Sequence, residues 1–344
     1  MTEPALPFDA GPLVDALQAA GVTVEGPLSA SRIGLGQSNL TYLVLDKNGA
    51  RMILRSPPRG HLLASAHDVG REARVLRALE STPVPVPRVL LSTRSSEISD
   101  SPIVVMEHVA GVVIDTRQAA DQVSLSVRGE LGQQMARVLA SIHAVDVRGG
   151  GLDDLASHSS YAGRQLKRWS GQWEASKTRE LLALDRLTDL LQRHAPDPRP
   201  LCLVHGDFHI RNMIVDVATS EVRAVLDWEL ATLGEPLADL GTMLAYWTES
   251  SDPETGLFDA VSMPGFIGRD EVTETYLAAS GQDGRDLGYW HTLGLWKIAI
   301  IAEGIVRRTF DEPTNAAAGG APAPGSTENI VDHAWAVAAD AGLA

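Results

Sequence analysis

Asp207, Asn212 and Asp227 are the residues around which this sequence is organised. Asp207 and Asn212 lie in the polar stretch His205-Gly206-Asp207-Phe208-His209-Ile210-Arg211-Asn212, and Asp227 opens Asp227-Trp228-Glu229. Short apolar runs flank them: Leu201 to Val204, Met213 to Val215 and Val222 to Leu226 read as strands. Side chains at the ends of so small a strand system can converge on one point. Phosphoryl transfer from a nucleotide uses this set of groups. One carboxylate accepts or orients the acceptor hydroxyl, while an Asn and a second carboxylate give Mg²⁺ the hard oxygen ligands it prefers. Asp207 then takes the first role, and Asn212 with Asp227 the second. A different chemistry, metal-dependent hydrolysis, could use His205, Asp207, His209 and Asp227, because the alternation along His205, Asp207 and His209 favours one common face of a strand. An inactive nucleotide-binding scaffold is a third class, and an ordinary turn with Asp227 as an Asx cap is the bland alternative.

The elements that must position these groups begin near the amino end. Asp9 to Ala20 has helical apolar spacing ended by Gly21. Arg32 to Leu35, Leu40 to Leu45 and Arg51 to Leu54 read as three antiparallel strands, the last two joined through Asp46, Lys47, Asn48 and Gly49. Between the first two runs Gly34-Leu35-Gly36-Gln37-Ser38-Asn39. Glycines let backbone amides approach phosphate oxygens, and Ser38 could add a hydrogen bond. The loop is neither a P-loop, lacking Gly-Lys-Ser or Gly-Lys-Thr, nor a dinucleotide fingerprint, since a strand follows it. Arg55 ends the third strand. Its guanidinium could span two phosphate oxygens and pair with Glu72, on a helix beginning near Ala66, although Arg51 and Arg59 could supply the cation instead. Val89 to Leu91 and Ile103 to Met106 complete the strands of a small amino-terminal lobe.

The offset from Asp207 to Asn212 matches the protein-kinase catalytic loop, H-R-D-L-x-x-x-N, with Gly206 in place of Arg and Phe208 in place of Leu. Asp227 stands where kinases have the Asp of Asp-Phe-Gly. His-Gly-Asp, four variable residues, Asn and then Asp-Trp resemble the aminoglycoside phosphotransferase and choline-kinase-like family over roughly Ser29 to Phe310. Asp227-Trp228-Glu229, Leu54-Arg55-Ser56-Pro57-Pro58 and Gly234-Glu235-Pro236-Leu237-Ala238-Asp239-Leu240 look most like the branch related to the kinase-like domain that accompanies acyl-CoA dehydrogenases. The resemblance implies an α+β, bilobal protein-kinase-like fold with a small antiparallel-sheet N-lobe and a large, mostly helical C-lobe. Residues 1–27 would form an amino-terminal extension, 28–107 the nucleotide-binding lobe and 108–344 the catalytic and acceptor-binding lobe, with ATP and Mg²⁺ in the cleft and GTP also open. Adenine would meet the hinge backbone around Glu107 and Val109, and Asp239 would brace the catalytic loop. The implied activity is phosphorylation of a small-molecule hydroxyl, with a hydroxyacyl compound ahead of an aminoglycoside, sugar or amino alcohol.

Composition narrows the partners. The chain has 29 basic and 44 acidic residues in 344, a formal net charge of −15, which argues against a broad basic face for nucleic acid. No apolar stretch reaches membrane-spanning length, and Lys297 interrupts the most suggestive run, Leu293 to Ile301. One cysteine, Cys202, and no amino-terminal signal pattern fit a cytoplasmic protein, with a homodimer left open. Beyond Gln122 the pattern turns helical. Pro236 marks a helix start at which Glu235 is expected to act mainly as a cap, and His143 is expected to pack or cap a helix instead of serving as a base. Trp169, Trp173, Phe266, Trp290 and Trp296 supply aromatic area for either a core or an acceptor wall. Ala317 to Ser326 is a low-complexity segment open to a lid role.

Overall fold

The structure, a computed structural model, describes residues 6, 8–33, 39–58, 68–155, 160–253, 255, 259–311 and 325–344. The chain divides into two compact units: Met1–Ala110 with Ala224–Glu229, and Gly111–Arg223 with Leu230–Ala344.

The first unit is built on a five-stranded antiparallel sheet of order β1-β2-β3-β5-β4. Its strands are β1 (Ser29–Ile33), β2 (Leu40–Leu45), β3 (Arg51–Ser56), β4 (Val89–Thr93) and β5 (Ile103–Glu107). β1 starts earlier than the sequence pattern suggests, because Ser29 to Ile33 pair in register with Leu45 to Thr41. In β3 the period-two alternation is explicit: Met52, Leu54 and Ser56 are buried, and the residues between them less so. α1 (Ala10–Ala19), capped by the Asp9 carboxylate, lays Leu13 and Leu17 into a core shared with Val44, Leu54, Ile103 and Val105. α2 (Val69–Leu79) is capped by the Asp68 side chain, which accepts from Gly70 and Arg71 N–H. Its buried stripe of Val69, Ala73, Leu76 and Val75 follows helical spacing and includes one acid, Glu72.

The second unit is mainly helical. It contains α3 (Arg117–Asp121), α4 (Leu125–His143), α5 (Tyr161–Ser176), α6 (Leu182–Arg193), α7 (Pro236–Tyr246), α8 (Arg269–Ser280), α9 (Leu287–Asp311) and α10 (Ser326–Asp340). Short strands β6 (Cys202–Val204) and β9 (Thr232–Gly234) pair antiparallel. β7 (Met213–Val215) pairs with β8 (Val222–Val225), which begins in this unit and ends in the first. All eleven residues of α7 are buried, so it is a core helix apolar nearly all round, begun by Pro236 at its first position. α7 and α9 cross at Gly241 and Gly294. A Cβ on Gly241 would lie 2.8 Å from His291 N, and one on Gly294 would lie 2.7 Å from Gly241 O, so this approach requires glycine on both helices. Among the described residues no helix is long and apolar enough to cross a membrane.

Candidate active site

β6 delivers the chain directly into the His205–Asn212 loop of the second unit. His205 and Gly206 N–H both donate to the Asp239 carboxylate, at 2.5 and 2.8 Å, so α7 braces the loop as expected. Gly206 has φ +84°, and a Cβ there would meet Leu230 O at 2.9 Å, which restricts the position to glycine. Its carbonyl accepts from Lys297 Nζ at 2.6 Å, and Asp207 N–H donates to His205 Nδ1 at 3.2 Å. His143 contributes from behind: Nδ1 lies 2.7 Å from the Tyr276 hydroxyl and Nε2 3.4 Å from Asp239, the packed role expected of it.

The Asp207 carboxylate is held on both oxygens. Tyr246 O–H donates to Oδ1 at 3.2 Å, Lys297 Nζ lies 3.8 Å from the same oxygen, and His209 Nε2 lies 3.2 Å from Oδ2. Burial alone would raise its pKa, but His209, Lys297 and His205 together hold it well below the usual carboxylate range. The Tyr246 hydroxyl is pushed well up, by burial and then by the Asp207 charge, and remains a donor. Burial pushes Lys297 down, opposed by Asp207 and Asp239. A short 3-10 turn, Ile210–Asn212, then brings Asn212 back so that its Nδ2 donates to the Asp207 carbonyl at 3.0 Å. That bond uses the amide nitrogen and not the side-chain oxygen.

In the first unit Arg55, at the end of β3, pairs with Glu72 of α2 and donates through Nη2 to Asp227 Oδ1 at 3.0 Å. The Arg55 and Glu72 side chains are only 12% and 2% exposed, while Asp227 is 35% exposed. Burial pushes the Glu72 carboxyl up to about 7, with the Asp227 and Glu229 charges adding to it, against Arg55 and the Trp228 N–H. Burial would lower the Arg55 pKa, but Glu72 and Asp227 more than compensate and raise it. Asp227 has φ +66°, a left-handed conformation rare for a residue with a side chain, as strained backbone at functional positions often is.

Asn39 is spent differently from its expected contact with phosphate. It is buried, and Nδ2 donates to Glu229 Oε2 at 3.0 Å, while Arg71 Nη1 donates to the Glu229 carbonyl at 3.1 Å. Gly34, Gly36, Gln37, Ser38 and Arg59 lie outside the described residues, as does most of Ala317 to Ser326. Glu107 uses its N–H on the Arg88 carbonyl at 2.9 Å and its carboxylate on Arg88 N–H at 3.0 Å. Val109 lies in the short irregular link that follows β5.

One expectation needs correction, and one open alternative is narrowed. Glu235 occupies the N-cap position of α7 but makes no side-chain cap; its carboxylate instead accepts from Arg199 N–H at 2.8 Å. Of the five aromatics considered for an acceptor wall, Trp173, Trp290 and Trp296 are buried core residues, Trp296 anchored through Nε1 to Thr188 at 2.8 Å. Trp169 and Phe266 are half-buried. Lys297 and Tyr246 were not singled out by motif, although a lone Lys in the apolar run of α9 was a signal that a buried partner awaited it.

In each unit taken by itself, the Asp227 carboxylate and the Asn212 amide carbonyl are oxygen donors of the kind that a hard cation such as Mg²⁺ takes. Among the described residues no group of three His, Cys, Asp or Glu side chains forms a metal cluster. His205 and His209 direct their ring nitrogens to the Asp207 backbone and carboxylate.

An α+β protein-kinase-like fold carrying a braced His-Gly-Asp loop and a separate Arg-Glu-Asp triad defines a phosphotransferase of the small-molecule kinase class. Residues 29–287 match the phosphotransferase enzyme family (APH), and the chain belongs to that family. It is 33% identical over 328 residues to acyl-CoA dehydrogenase family member 10 of Mus musculus, covering 94% of this chain and 30% of that protein. The chain thus spans about a third of the length of the curated relatives it matches. A crystal structure from Ralstonia eutropha JMP134, provisionally described as an aminoglycoside phosphotransferase, is similar with TM-score 0.78 and 28% identity, covering 97% of this chain and 99% of its own. A thermostable aminoglycoside phosphotransferase APH(4)-Ia in ternary complex with AMP-PNP and hygromycin B shares the fold at TM-score 0.55 and 15% identity, covering 90% and 92%.

Proposed function

We propose that the chain is a Mg²⁺-dependent kinase that moves the γ-phosphoryl group of ATP to a hydroxyl of a small molecule, with a hydroxyacyl compound the preferred acceptor class. The observation that carries the reading is the Asp207 carboxylate, held on one oxygen by Tyr246 and on the other by His209 within a loop tied at Gly206 and Asn212. In the reaction the bond from the γ-phosphorus to the β–γ bridging oxygen breaks, the acceptor oxygen bonds to that phosphorus, and the hydroxyl proton passes to Asp207 and then to solvent. ADP leaves. A strongly acidic carboxyl is a weak base, which suits a loose transition state in which the proton departs late. Arg55, braced by Glu72, serves the donor phosphates, and Asp227 with Asn212 serves the metal. Bound Mg²⁺ would neutralise charge on the phosphate oxygens. Glu107 carbonyl and Val109 N–H are proposed for adenine, and the 34–38 stretch for covering the phosphates.

The acyl preference is supported by the relatives at 33% identity, whose names are those of acyl-CoA dehydrogenase family members. A screen with Mg-ATP and hydroxyacyl-CoA, hydroxy acid, aminoglycoside, sugar and amino-alcohol acceptors, read by product mass, tests it. A phosphohydroxyacyl product absent with Asp207→Ala is the expected result. Efficient aminoglycoside phosphorylation without hydroxyacyl activity would reverse the ranking, and transfer to none of them would remove the kinase reading.

A further inference from the structure

Lys297 is a buried cation that the family motifs do not account for. Its side chain is 5% exposed, in the middle of the apolar face of α9 and 91 residues downstream of Gly206. Removing an ammonium from water is costly unless partners replace the solvent. Three do so here. Nζ donates to the Gly206 carbonyl at 2.6 Å, lies 3.8 Å from Asp207 Oδ1, and sits 5.3 Å from the centre of the Trp169 ring, where the π face attracts a cation. Three successive peptide groups leading into Asp207 are therefore held, from two helices: Asp239 of α7 takes the N–H groups of His205 and Gly206, and Lys297 of α9 takes the carbonyl of Gly206. With φ +84° at Gly206, that glycine would otherwise have the broadest choice of backbone states in the loop.

We propose that Lys297 is a positioning residue for phosphoryl transfer, fixing the Gly206 carbonyl and the Asp207 carboxylate in the geometry the acceptor hydroxyl must meet. It acts through Asp207, and the assignment rests on the phosphotransferase reading above. Loss of Lys297 leaves Arg55 and Asp227 of the first unit untouched, so donor binding should be retained while the transfer step slows.

The test uses the full chain with Lys297→Met, which keeps the packed stem, and Lys297→Ala. Mg-ATP affinity is measured by calorimetry, and single-turnover transfer from ATP is measured to water, 3-hydroxybutyryl-CoA and kanamycin. Amide hydrogen exchange is followed by mass spectrometry across 203–213. Lys297→Met should slow transfer about 10²-fold with unchanged Mg-ATP affinity and no loss of melting temperature, and exchange at Gly206 and Asp207 should rise. Methylammonium should recover part of the Lys297→Ala rate, which a purely structural lysine would not allow. Wild-type transfer by Lys297→Met overturns the proposal, as does unchanged exchange of the loop. If the unaltered protein transfers phosphate to none of the three acceptors and to none of the wider panel above, the phosphotransferase reading fails; the exchange result still decides whether Lys297 holds the turn.

Discussion

Asp239→Asn is the substitution whose cost can best be worked from the contacts. The wild-type carboxylate is 1% exposed and accepts two backbone N–H groups, from His205 and Gly206. An amide of the same shape can accept only one of them, and turns its own N–H groups toward the other donor. At about 1–3 kcal/mol for a buried donor left without an acceptor, the one backbone N–H that loses its partner costs about 1–3 kcal/mol, a sizeable part of the about 5–15 kcal/mol that holds a typical protein folded. The turn into Asp207 should also shift, and a displacement of ~1 Å in a reacting group costs about 10² in rate. Burial would raise the Asp239 pKa, but His143, His205 and the Gly206 N–H outweigh it and lower it. The associated stability is therefore present above the ordinary carboxylate pKa and is lost as pH falls through the lower folded value. Urea unfolding followed by tryptophan fluorescence, at neutral and acidic pH, gives the stability; single-turnover transfer gives the rate. An Asp239→Asn protein within about 0.5 kcal/mol of wild type, with an unchanged rate, would refute the brace.

Three further outcomes are expected. Asp207→Ala should cut transfer by about 10²–10⁴ with Mg-ATP binding retained, whereas Asp227→Ala should weaken Mg²⁺ dependence in titrations with AMP-PNP; an identical profile for the two variants would contradict their separate roles. Arg55→Lys keeps the charge but loses the fork that reaches both Glu72 and Asp227, so its ATP affinity and rate should fall; fully preserved kinetics in Arg55→Ala would move the role to Arg51 or to backbone amides. Glu72, raised to about 7 when folded, binds its proton more tightly folded than unfolded, so its contribution to stability is greatest at low pH and declines as pH rises from about 4.5 to about 7. Measured against Glu72→Gln across that window, the wild-type protein should lose stability with rising pH, and parallel curves would exclude the linkage.

The strands and most helices were legible because their apolar residues repeat at two or at three to four, as in Met52 and Leu54 or in Leu184, Leu187 and Leu191. The Arg55–Glu72 pair and the bracing of the His205–Asn212 loop by Asp239 were legible because residue type and local spacing restrict what such groups can meet. Lys297 and Tyr246 were not, since each reaches Asp207 from a distant helix and no short motif encodes that reach. The aromatic residues show a different limit. Composition cannot tell a Trp filling a core from one lining a groove, and Trp290 and Trp296 proved to fill the core. Glu235 illustrates competition for one carboxylate: the position is that of a cap, but the Arg199 N–H claims the side chain.

The glycine crossing of α7 and α9 makes the two helices behave as the jaws of a caliper. Asp239 is on one jaw and Lys297 on the other, and the closure of the pair is set by two missing methyl groups, at Gly241 and Gly294. Truncating either side chain releases the loop from one jaw only. Thickening the crossing, by contrast, would open both together without altering a single polar residue. On the proposed reading the width of an apolar helix contact becomes a catalytic dimension, and an alanine at position 241 or 294 should slow transfer from inside the core.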